Sequence, residues 1–302
     1  MARPDYFVRW MRMRAALIVL ALACAGCGTA PETATVTTTA KKAAPASSLE
    51  LRVGIAGVLD VAPVRGVRFV RGRIATMPAL PLVLVSAETT KLADVLTAAR
   101  RYPTSHYAYV GGSLSGSRRP NVVGVVLRDD EAARLGGFVA GLVAGEEGGV
   151  SPRVAWVGPK EQDIADAFAD GVHDAAPNVT VLRAFSADAP AACKEAALAA
   201  IGRGAVALMA HRGLCADATV AGAHQQNDVG MRASDFELVN VPVGALVRDA
   251  QNGVYHGGED LVFGAASGAI GVGHLDRRIS GEAGVRAREA AQQMANGLRP
   301  SG

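Results

Sequence analysis

PNVVGVVLRDDEAARLGGFVAGLVAG, residues 120–145, is the stretch from which the fold is read. It opens with an apolar, β-branched run, Val122 to Leu127, of the kind that fills a buried strand. An acidic step follows, Asp129-Asp130-Glu131, and Asp129 or Asp130 is placed to cap a helix whose positive end favours such charge. Leu135, Phe138, Val139, Leu142 and Val143 then recur at helical spacing. Gly136, Gly137 and Gly141 each cost a helix interior about 1 kcal/mol relative to Ala. Small residues one turn apart, at 137 and 141, predict a face that meets another backbone closely. The minimal reading is one βα unit of a parallel sheet. The sharper reading is a strand that leaves one lobe and a helix that belongs to a second.

The chain on either side has the same rhythm. Upstream, strands are expected at Leu51–Ile55, Val67–Ile74, Pro81–Val85 and Tyr107–Val110, with a helix at Leu92–Arg101. Asp60, Pro63 and Gly66 keep the segment after the first strand from being helical. Downstream, strands at Val154–Val157, Val179–Phe185, Ala205–Ala210 and Asp228–Arg232 alternate with helices at Ile164–Ala175, Pro190–Ile201 and Cys215–Gln225. A strand at Leu238–Val243, a helix at Val247–His256, short strands at Leu261–Phe263 and Ile270–Gly273, and a helix from Ser280 to Leu298 complete the chain. Such alternation implies an α/β fold of doubly wound parallel sheets covered on both faces.

The N-terminus reads as an export signal over residues 1–27: a basic region with Arg9, Arg12 and Arg14, then an apolar run from Ala15 to Ala23 that is too short for a spanning helix. Ala25-Gly26-Cys27 resembles a bacterial lipobox, with lipid carried by Cys27; an ordinary cleavable signal is the alternative. Residues 28–48, rich in Thr, Ala and Pro, cannot bury enough apolar surface to order themselves and form a tether. Arg3, Arg9, Arg12 and Arg14 against Asp5 account for the whole formal charge of +3. From Cys27 onward the chain is therefore close to neutral, which argues against nucleic-acid binding. Beyond Cys24 and Cys27 only Cys193 and Cys215 remain. In an oxidising compartment one disulfide between them is the default, and two separate thiols the alternative.

Four segments together resemble one family. These are residues 120–145, RVAWVGPKEQDIADAFADGVHDA at 153–175 with Phe168 and Gly171, the run Gly202 to Ala207, and Gly213. Their order and spacing are similar to the basic membrane protein family, also called the purine nucleoside receptor A or Med family of substrate-binding lipoproteins. The resemblance implies the type I periplasmic-binding-protein fold: two lobes joined by three hinge crossings, with a ligand in the cleft. It implies an N-terminal lobe of residues 49–128 and 244–264 and a C-terminal lobe of 129–243 and 265–302. Crossings are then expected at Leu127–Asp130, Val241–Ala245 and Phe263–Ser267. It also sets Cys193 and Cys215 at one sheet edge, within bridging distance. The first lobe is shortened: Leu51 to Pro63 lacks the family's Asp-Lys-x-Phe-Asn run and first helix, and a family Asp falls at Gly111.

Ligands of open parallel sheets sit beyond the carboxyl ends of strands. That rule points to Gly57–Asp60, Gly111–Ser117, Val157–Lys160, Phe185–Asp188 and His211–Cys215. The resemblance singles out Phe185 for base stacking, Gly213 beside the ligand, Asp235 for ribose hydroxyls and Arg248 in place of a family Lys. Ser113 belongs to the Gly/Ser loop that can offer hydroxyl and N–H groups. The ligand implied is a small polar, nucleoside-like metabolite, the partner an ABC permease, and the location the extracytoplasmic face of the membrane, held by lipid. A sensor or scaffold lipoprotein that no longer transports is the alternative. No cofactor, metal site or catalytic residue is expected. Gly112-Ser113-Leu114-Ser115-Gly116 is not a nucleophile elbow, and the six His are scattered without metal-ligand spacing.

Overall fold

The computed structural model describes residues 50–147, 151–187, 189–212 and 214–300. The expected signal segment, tether, Cys27 and Gly213 lie outside them. In chain order the first strands are β1 (Leu51–Ala56), β2 (Val67–Gly72), β3 (Leu82–Ser86), β4 (His106–Val110) and β5 (Val122–Leu127). They are followed by β6 (Arg153–Gly158), β7 (Thr180–Phe185), β8 (Ala205–Ala210), β9 (Val229–Arg232) and β10 (Asp260–Phe263). The helices are α1 (Leu92–Arg101), α2 (Asp129–Glu146), α3 (Gln162–Ala175), α4 (Pro190–Gly202), α5 (Leu214–Gln225), α6 (Asn240–Gln251) and α7 (Gly281–Ala295). Two parallel sheets result: β10-β5-β4-β3-β1-β2, and β7-β6-β8-β9.

The period-two alternation of each strand decides which layer it serves. On one face of the six-stranded sheet Val53, Ile55, Ala108, Val110, Val123 and Val125 pack under α6, through Val243, Leu246 and Val247. On the other, Val83, Val85, Tyr107 and Tyr109 pack under α1, through Val95, Ala98 and Ala99. No helix joins β1 to β2. Leu59, Val61 and Val64 of the connecting loop fill the core beside α6 instead. In the four-stranded sheet Val154, Trp156, Ala207 and Met209 meet α2, α3 and α7, while Ala155, Val157 and Leu208 meet α4 and α5.

The opening stretch divides between these layers. β5 is hydrogen-bonded within the six-stranded sheet, and α2 packs against α3 and the four-stranded sheet. The close backbone approach foreseen from the glycines is present. A Cβ on Gly137 would collide with the Phe168 carbonyl oxygen, one on Gly171 with that of Arg134, and one on Gly141 would sit 2.7 Å from that of Val172. The N-cap is Arg128, with no side-chain cap, so neither Asp129 nor Asp130 caps the helix. All three acidic residues occupy the first turn, where the helix dipole holds them.

Two local readings are corrected. The strand expected at Leu238–Val243 is the start of α6, running from Asn240. Pro242, within that first turn, lacks only an N–H that would have no helical partner there. The strand expected at Ile270–Gly273 reduces to a single antiparallel bridge between Ile270 and Glu237. The chain passes from the second layer set to α6 at Glu237–Val239, and back after β10 through a short 3-10 turn, Ala265–Ser267, closed by Gly268 at φ 74°. That left-handed backbone suits Gly.

Cys193 and Cys215 are joined by a disulfide, with Cα atoms 5.2 Å apart and both residues fully buried. It ties the start of α4 to the start of α5 at the carboxyl edge of the second sheet.

Candidate functional site

The carboxyl ends of β1, β3 and β4 face those of β8 and β9 across a cavity of about 620 Å³. The first sheet contributes Val58, Asp60, Ser86, Glu88 and Gly111; the second contributes Arg212, Ser234 and His274. The floor is formed by Leu127 and by Glu237 to Val241, residues of the first and second crossings.

Arg212 is the centre of this arrangement. It follows β8, and 12% of its side chain is exposed. Its Nε donates to Glu237 Oε1 at 2.8 Å, and Nη2 makes an ion contact with Asp129 Oδ1 at 2.6 Å. A Cβ on Gly111, across the cavity, would lie 3.4 Å from its Nη1. Gly111 also has φ 83°, a conformation that turns the chain sharply after β4 and that a larger residue resists. One guanidinium therefore contacts the first and second crossings and lies near Gly111 at the end of β4.

Burial would lower the Arg212 pKa, but Glu237, Asp129 and Glu88 together hold it raised. Glu237, with 3% of its side chain exposed, is pushed up to about 7 by burial, against the pull of Arg212, with Asp129 and Glu88 adding to the rise. The third crossing is fastened to the first. Arg128 N donates to Phe263 O at 2.9 Å, and Ala265 N donates to Glu131 Oε2 at 2.6 Å. Asp130 is held below the usual carboxylate range by its hydrogen bond from Arg128.

Of the five residues singled out as ligand contacts, Gly213 lies outside the described residues, and none of the other four lines this cavity. Phe185 ends the edge strand β7 and packs half-buried on the core, two strands from β8. Ser113 Oγ donates to Asp260 Oδ2 at 2.6 Å, and Leu114 N to Asp260 Oδ1 at 2.8 Å, so Asp260 clamps the Gly/Ser loop to β10. Asp235 accepts from Arg232 N at 2.8 Å, and burial raises its pKa. Arg248 is exposed, two turns along α6 from the end that reaches the cavity. Three of the loops expected at strand ends do contribute, through Val58–Asp60, Gly111 and Arg212. Glu237, Glu88 and Asp129 were not singled out as ligand contacts. The one signal for Glu237 is a carboxylate flanked by Phe236 and Leu238 in a stretch otherwise suited to burial. Among the described residues no group of three or more His, Cys, Asp or Glu is arranged to hold a metal ion.

Comparison with known proteins bears on the fold. No protein-family model matches the chain, and no curated protein does. Solved structures match most of it. A transcriptional activator of the comK gene from Bacillus halodurans shares 13% identity, with 83% of this chain and 99% of that one covered at a TM-score of 0.62. An ABC transporter solute-binding protein from Conexibacter woesei shares 15%, covering 82% and 97% at 0.56. One from Aeropyrum pernix shares 18%, covering 83% and 82% at 0.52. The chain has the type I periplasmic-binding-protein fold.

Proposed function

We propose that this chain is the solute-binding component of an ABC-type importer, held on the extracytoplasmic face by lipid on Cys27, with residues 28–48 as its tether. The observation that carries the reading is the 620 Å³ cavity between two parallel sheets, floored by chain crossings. Likeness in fold to two solute-binding proteins supports it. The proposed contacts are the groups lining that cavity, Asp60, Ser86, Glu88, Arg212 and Glu237, in place of those implied by the resemblance. The partner is a permease that receives the solute when the lobes open. The resemblance points to a nucleoside-like solute, and the carboxylates of Asp60 and Glu88 suit ribose hydroxyls.

A sensor or scaffold without transport is the second reading. The braced crossings favour it, because Arg212 is engaged by Asp129 and Glu237 of the chain itself.

A thermal-shift screen of nucleosides, bases, sugars and amines tests the first reading. A bound solute at 100 times its Kd raises stability by about 2.7 kcal/mol. A screen in which no member of any class stabilises the chain sinks the importer reading and leaves the second.

A further inference from the structure

The charges in the cleft do not balance. Asp60, Glu88 and Glu237 face it with one guanidinium, that of Arg212, and one imidazole, that of His274, and the Arg212 charge is already met by Glu237 and by Asp129 beneath. Neither Asp60 nor Glu88 has an ion pair among the described residues. Glu237 is buried except where it faces the cavity. Its Oε1 takes the bond from Arg212, and the residue lines the cavity.

The walls are as informative as the charges. No Phe, Tyr or Trp is among the described residues lining the cavity, so a nucleobase finds no indole, phenol or phenyl ring to stack on. Instead Val58, Leu59, Val110, Leu127, Leu238 and Val239 supply aliphatic surface. Val58 is 72% exposed, an uncovered apolar group at the mouth. Quaternary ammonium ions are taken by aromatic cages, which this cleft lacks. An anion would meet a carboxylate excess of one sign.

We propose that the cleft selects a cationic aliphatic amine, its ammonium hydrogens donated to Glu237, Glu88 and Asp60 and its hydrocarbon body laid against Val58, Leu59 and Val239. This rests on the solute-binding reading above and puts a cationic amine in place of the nucleoside-like solute that the resemblance implies. The ammonium replaces the charge that Arg212 cannot supply to three carboxylates. It also returns Glu237, raised by burial and by its neighbours Asp129 and Glu88, to the ionised form.

The test is a binding titration of the full chain with four probes: diaminobutane, butanediol of the same length, succinate and adenosine. Diaminobutane is expected to bind and to raise the melting temperature, with affinity falling as salt is added, while the other three leave the chain unchanged. Glu88→Gln, a substitution on an exposed side chain that preserves shape, is expected to weaken diaminobutane by about 10-fold or more, as losing one charged hydrogen bond does. If butanediol, succinate or adenosine binds as well as the diamine, or if Glu88→Gln leaves diamine affinity intact, the amine inference is overturned while the cleft reading stands. If none of the four binds and the broader screen is also silent, both fall together.

Discussion

The two sheets solve the same packing problem differently. The four-stranded sheet is covered by helices on both faces, its α2 and α3 backbones brought together at Gly137, Gly141 and Gly171, and its edge pinned by the Cys193–Cys215 disulfide. The six-stranded sheet has a loop, residues 57–66, where a helix would join β1 to β2. Leu59, Val61 and Val64 of that loop fill the core, but Val58 and Asp60 turn into the cleft. The tighter half is a platform that aims Arg212. The looser half supplies a segment that can reshape the mouth without disturbing its sheet, because loops give up fewer buried contacts when they move.

Gly137→Val strikes the platform and carries the largest expected effect. The added side chain meets the Phe168 backbone, which cannot rotate away as a side chain would. A loss of about 4 kcal/mol is expected, by overpacking at a helix contact, and is read from denaturant unfolding. A loss under about 1 kcal/mol would show that the α2–α3 contact is not the rigid element described.

The junction between the halves comes next. Glu237 has a pKa raised from its unfolded value to about 7, so the folded chain binds its proton more tightly. Its contribution is full below the unfolded carboxyl range and is lost as pH rises through about 7. The stability of the native chain minus that of Glu237→Gln should therefore fall between pH 4.5 and pH 7, by up to about 3 kcal/mol. Melting curves of both chains across that window check it; a flat difference breaks the picture of a carboxyl desolvated at the crossing.

The replacement loop gives the smallest effect. Leu59, 9% exposed, packs on α6, and Leu59→Ala is expected to cost about 2 kcal/mol, the low end for a buried Leu, because a loop can collapse onto the gap. A cost as large as that of Gly137→Val would erase the contrast between the halves.

Much of the frame was legible in residues 120–145. A β-branched run followed by a glycine-bearing helix specifies β5 and α2, and the small residues at 137 and 141 mark the α3 contact. These are local patterns, since strand and helix periodicities and the need for Gly at close backbone approach act over a few residues. The Leu238–Val243 misreading has the same root. Leu and Val broken by Asn240 and Pro242 fit a short strand or the entry to a buried helix, and only packing on the six-stranded sheet decides between them.

The site was legible only as loops, not as side chains. Strand ends at Val58–Asp60, Gly111 and Arg212 follow from the rule for parallel sheets. Phe185, Asp235 and Arg248 follow the family pattern and Ser113 the Gly/Ser loop, yet they meet a core, Arg232, solvent and Asp260. The sequence by itself determined parallel sheets alternating with helices and a chain near neutrality beyond its first residues, while the family resemblance implied two lobes and the break between β5 and α2. Only the tertiary structure decided that Arg212 meets Asp129 and Glu237, residues 83 and 25 positions away, across a cleft of unbalanced carboxylates. Periodicity fixes which face of its own element a side chain occupies. Which distant charge it meets depends on how two sheets are set across three crossings, and no local pattern encodes that.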